Sequence, residues 1–171
     1  MNAAFIVLSI LSAGQPADVK ITVASKAFTE SVILGEIVKQ AAEHAGFKVD
    51  HKEQLGGTGF VFDNLENGSI DIYPDYTGTI VKDILKDDSL KDLASIRKAL
   101  AKRGLRISEP LGFDNSYEIG MQEDVAKRLG IRKISDLKRH PRLAFGFANE
   151  FLDRRDGWPG LKQAYVLPHN N

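Results

Sequence analysis

Cysteine is missing altogether from the 171 residues. That excludes disulfides, thiolate metal sites, a cysteine nucleophile and a lipid-modified N-terminal cysteine. An excess of either charge is missing too: Lys+Arg and Asp+Glu each total 23, giving a formal charge of zero. With no dense like-charge block, nucleic acid is not an expected partner. Long apolar runs are also lacking. The longest, Ala3 to Leu11 in "MNAAFIVLSILSAGQPADVK", falls well short of the roughly 20 residues of a spanning helix. Followed by small residues and a polar break, it has the shape of an export signal over residues 1–17, with cleavage after Gly14 or a little later. A basic residue before Ala3 is absent. A misplaced start, the tail of a longer membrane segment or a buried N-terminal strand are the alternatives. An export signal implies a periplasmic or other extracytoplasmic location.

Catalytic inventories are equally sparse. His44, His51, His140 and His169 lie in separate elements, none at metal-ligand spacing. No G-x-S-x-G elbow occurs, and "GGTGF" (56–60) matches neither phosphate-loop pattern. No enzymatic activity, catalytic residue, metal or cofactor is expected.

What is present is globular: 43% hydrophobic and 27% charged residues. "VKITVAS" (19–25) alternates as a strand. The following "FTESVILGEIVKQAAEHAG" places Val32, Ile33, Ile37, Val38, Ala41 and Ala45 at helical period, with Thr29 or Ser31 available as a cap. "FKVDHKEQL" reads as a second strand, "GGTGFVFDNLENG" as turn and helix, and "SIDIYP" as a third strand. Such alternation predicts an α/β fold with a largely parallel sheet. Two helical patterns separated by "DDS" follow. "LRISEPLGFDNSYEIGMQ" is then an extended crossover, giving one lobe over 18–111 and a second over 112–171. The second lobe is expected to hold short helices, one capped by Ser135, and a strand "RLAFGFA" (142–148).

Polar and aromatic residues gather where strands end: Lys26 and Phe28, Gly56 to Thr58, Tyr73 to Thr79, then Tyr117, Arg154 and Arg155. Segments after the carboxyl ends of parallel strands converge on one edge, the usual ligand crevice. Aromatic faces attract a quaternary ammonium, and a guanidinium fork grips a carboxylate. The plainer readings are a packed tyrosine, a solvated Lys26, and an arginine paired with Asp153 or Asp156.

The blocks "ITVASKAFTESVILGEI", "LGGTGFVFDNLENGSIDIYPDYTGTI", "DNSYEIGMQEDVAKRLGIRKISDL" and "EFLDRRDGWPGL" resemble, in order and spacing, the substrate-binding proteins of glycine betaine/choline/carnitine ABC importers. The resemblance runs from about Val19 to Tyr165. It implies a two-lobed, type II periplasmic-binding-protein-like architecture that closes over a quaternary ammonium osmolyte in an inter-lobe aromatic cage and delivers it to a membrane permease. A monomer is expected. Carried over by motif, Lys26, Tyr76, Thr79, Asn115, Tyr117 and Arg154 become the ligand-binding residues. Tyr76 and Tyr117 would be cage walls, and Arg154, helped by Lys26 or Thr79, the carboxylate grip. Tyr73 becomes a packing residue. Complete members continue past this point, so an incomplete second lobe is expected. A ligand-sensing domain of the same fold, or a degenerate non-transporting fragment, is the competing reading.

Overall fold

A computed structural model describes residues 3–8 and 19–169. The chain divides into two compact units, Met1–Asn115 and Ser116–Asn171.

The first unit is built on a five-stranded sheet of order β3-β2-β4-β1-β5. Its strands are β1 (Ala3–Leu8), β2 (Lys20–Lys26), β3 (Lys48–Gly56), β4 (Ile72–Tyr76) and β5 (Leu105–Ile107). Strand β2 runs parallel to β3 and β4, as the β-α-β alternation requires, whereas β1 is antiparallel to both β4 and β5. Ala3–Leu8, read above as the apolar part of an export signal, forms strand β1 here. The expected cleavage site near Gly14 lies outside the described residues.

Helix α1 (Thr29–His44) departs in detail from its sequence reading. The stripe that goes inward is Ser31, Leu34, Gly35 and Val38, while Ile33 and Ile37 stay 56% and 53% exposed. Small residues decide this, because a Cβ on Gly35 would collide with the His51 ring of β3. The residue that precedes the helix is Phe28, with no side-chain cap. Ser31 instead accepts from the Lys26 backbone N–H at 2.8 Å.

Helix α2 (Thr58–Glu66) crosses between β3 and β4. It supplies Val61, Phe62 and Leu65 to a core shared with Ile70, Tyr73, Ile80, Ile96, Leu100 and Leu105. After β4 the chain makes α3 (Thr77–Thr79), a π-turn over Ile80–Ile84 and α4 (Leu93–Ala101). Asp92 caps α4 by accepting from the Ser95 N–H at 2.7 Å.

The second unit contains α5 (Glu123–Leu129), a 3₁₀ turn (Ile134–Arg139), α6 (Asn149–Asp153) and α7 (Trp158–Tyr165). Its core is Leu137, Phe151, Trp158 and Leu167, with Phe145 and Phe147 packed against it. Three expectations fail here. "RLAFGFA" forms no strand: Leu143, Phe145 and Phe147 alternate inward with period two, but no ladder partner is among the described residues. For the same reason "YEIGMQ" is irregular, and β5 is the only strand in the crossover segment. Ser135 is not a cap; the 3₁₀ turn starts after Lys133, whose backbone N–H, like that of Arg132, is taken by the Asp136 carboxylate.

Candidate functional site

Strand register builds the first half of the site. Val23 of β2 lies across from Ile72 of β4 in the parallel pair. Three residues further along both strands come Lys26 and Asp75, whose side chains form an ion pair of 2.8 Å at the carboxyl ends of the strands. Both are almost fully buried. The arrangement is costly unless every group is satisfied, and much of it is. Asp75 Oδ1 accepts from Lys26 Nζ and, at 2.7 Å, from the Tyr76 backbone N–H. Lys26 Nζ also donates to Thr58 Oγ1 at 3.5 Å, at the start of α2, and lies 5.5 Å from the Phe28 ring centroid. Asp75 Oδ2 has no hydrogen-bond partner among the described residues.

Tyr73, Tyr76 and Thr79 are buried beside this pair in sequence. Tyr73 has no exposure and belongs to the core, as its packing assignment requires. Burial, then the negative charge of Asp75, push its phenol well above the ordinary tyrosine value. Tyr76 ends β4 and is also buried, with no hydrogen-bond partner for its hydroxyl among the described residues. Asn115 is exposed and donates from Nδ2 to Glu30 Oε2 at 2.7 Å, tying the end of the unit to the first turn of α1.

The second unit holds Tyr117 and Arg154. Tyr117 is 54% exposed, and its ring meets Phe151 at a centroid distance of 4.8 Å and a tilt of 55°. The guanidinium carbon of Arg154 lies 6.0 Å from the centre of that ring. Arg154 is buried and donates from Nε and Nη2 to the two oxygens of Asp156 at 2.9 and 2.8 Å. An open cavity of about 390 Å³ is lined by Tyr117, Ile119, Phe151, Asp156 and Leu161, among others. Arg155 is exposed.

The structure therefore brings Lys26 to Tyr76 through Asp75, and Tyr117 to Arg154 directly. Sequence reasoning missed the carboxylates Asp75 and Glu30, and it gave Asp156 only as a surface partner of arginine. The β2–β4 register alone could have found Asp75. Among the described residues, no group of three His, Cys, Asp or Glu side chains could hold a metal.

Residues 19–171 match a family profile described as the substrate-binding domain of ABC-type glycine betaine transport systems. The chain belongs to that family. Members are solute-binding domains of transporters, not enzymes. The chain is 31% identical over 156 residues to a carnitine transport binding protein of Listeria monocytogenes, covering 86% of this chain and 51% of that protein. It is 29% identical over 172 residues to the glycine betaine-binding protein YehZ of Escherichia coli, covering 94% and 56%. An ergothioneine transport permease/binding protein of Helicobacter pylori is 32% identical over 150 residues, covering 85% and 27%. The structure of apo YehZ from Escherichia coli superposes with a TM-score of 0.50 at 27% identity, covering 89% of this chain and 58% of that one. The family's periplasmic-binding-protein-like α/β fold is the one the sheet and crossing helices of the first unit display. The chain spans about half the length of the carnitine-binding relative and of YehZ.

Proposed function

We propose that this chain is the solute-binding component of an ABC importer for quaternary ammonium osmolytes of the glycine betaine and choline type. The observation that carries the reading is the match of residues 19–171 to a family of glycine betaine-binding domains. The site geometry supports it. A ring and a guanidinium lie together in the second unit at 6.0 Å, and Tyr76 is anchored at a strand end in the first. Tyr76 and Tyr117 form walls of an aromatic cage for the ammonium, each ring contributing about 0.5–2 kcal/mol once water is excluded. Arg154, with Thr79 and Asn115, takes the carboxylate end. Lys26 acts through its pair with Asp75. The cage closes between lobes spanning 18–111 and 112–171, and the loaded monomer delivers its solute to a membrane permease on the extracytoplasmic side. No helix among the described residues is long and apolar enough to cross a membrane.

Calorimetric titration of this chain with glycine betaine, choline, carnitine and proline tests the reading. Trp158, the sole tryptophan, packs against Phe145 and Phe147 at 5.0 and 4.8 Å and gives a parallel fluorescence signal. Saturable binding of a quaternary ammonium with none of proline is the expected result. Silence towards all four removes the transport reading and leaves a non-transporting domain of the same fold.

A further inference from the structure

Lys26 is the buried cation of the first unit among the described residues, and its charge is already spoken for. One carboxylate oxygen, Asp75 Oδ1, holds both the Lys26 ammonium and the backbone N–H of Tyr76. The other, Oδ2, is buried with no partner among the described residues. The carboxylate is thus one residue from a proposed cage wall and one hydrogen bond from a lysine that could otherwise draw an anionic solute group.

We propose that Asp75 is a specificity-determining positioning residue that cancels the charge of Lys26 and so fixes how the first unit weighs cationic against carboxylated solutes. The inference rests on the solute-binding reading above. Its physical basis is that charges in a water-poor environment act over several ångströms with little screening. With both partners present, the Lys26–Asp75 pair itself carries no net charge, and Glu30, which accepts from Asn115, is the other carboxylate among the site residues of the first unit. Removing the carboxylate leaves a cation beside Tyr76, which attracts a solute carboxylate and repels a bare ammonium. Removing the lysine leaves an anion there, with the opposite consequence.

The test uses glycine betaine and choline, which share the trimethylammonium group and differ in the carboxylate. The ratio of their dissociation constants is measured at pH 7 for the parent chain, Asp75→Asn, Lys26→Met and the double variant. Asp75→Asn is expected to shift the ratio about tenfold towards betaine and Lys26→Met about tenfold towards choline, while the double variant returns it to the parent value. Urea unfolding of each variant reports stability separately. A ratio that stays fixed while both ligands weaken together makes the pair structural only and overturns the proposal. So do shifts of the same sign in the two single variants. If Asp75→Asn does not fold, Lys26→Met against the double variant decides by the same criterion. A parent chain that binds neither compound overturns the solute-binding reading itself and this role with it. That failure is distinct, because in the others the parent binds.

Discussion

Asp156 grips Arg154 through a two-point bond, Nε to Oδ1 at 2.9 Å and Nη2 to Oδ2 at 2.8 Å, while the guanidinium faces the Tyr117 ring. A side chain so fixed is oriented before any solute arrives, which lowers the entropy lost on binding. Arg154→Ala is therefore expected to weaken betaine at least about tenfold more than choline, ~1.4 kcal/mol on the ratio. Equal losses for the two compounds would make Arg154 a structural residue of the second unit.

Tyr76 separates ring from hydroxyl. Its hydroxyl has no hydrogen-bond partner among the described residues, although the side chain is buried. Tyr76→Phe is expected to leave stability unchanged or raised, because it removes a buried polar atom that lacks a bond. It should also retain quaternary ammonium binding. Tyr76→Ala should cost about 3–5 kcal/mol by cavity formation and abolish that binding. Loss of stability in the Phe variant would contradict this assignment.

Tyr73 gives a pH-dependent signature. Its phenol is held neutral by burial and by the Asp75 charge, so its folded value lies above the unfolded one. A raised value means the stability it contributes is complete below the ordinary tyrosine range, near pH 10, and is lost as pH climbs from there towards the folded value. Ultraviolet titration of the four tyrosines should show one that ionises last, only as the protein unfolds. Tyr73→Phe should remove that step and flatten the alkaline fall in stability.

Gly157 precedes α7, and a Cβ there would collide with the carbonyl oxygen of Phe151. The obstacle is backbone, so no flexible side chain can yield. Gly157→Ala is expected to destabilise the second unit by about 1–3 kcal/mol through overpacking, read from Trp158 fluorescence in urea. Gly146→Ala, in the same unit and with nothing within 4 Å of the added carbon, is the matched control and should not lose stability against the parent.

How much was legible beforehand follows the range of the interactions. The α/β class, β2, β3 and β4, and helices α1, α2, α4, α5 and α7 were readable because local periodicity and turn residues encode them. The inward face of α1 was not. Ile33 and Ile37 are the more apolar choice, yet Ser31 and Gly35 face inward because His51 approaches there. Nor could alternation alone make "RLAFGFA" a strand, since a ladder needs a neighbour.

Of the candidate site, the sequence by itself determined the residue types, their order and their family blocks, since these are carried by short motifs at strand ends. Only tertiary structure decided their partners. Lys26 and Asp75 are 49 positions apart and meet because two parallel strands share a register. Tyr117 and Arg154 meet because Tyr117 packs on Phe151 of α6 and Arg154 follows that helix. Burial then set the chemistry, making Lys26 and Arg154, both read from the sequence as ligand-binding cations, two buried charges held by carboxylates.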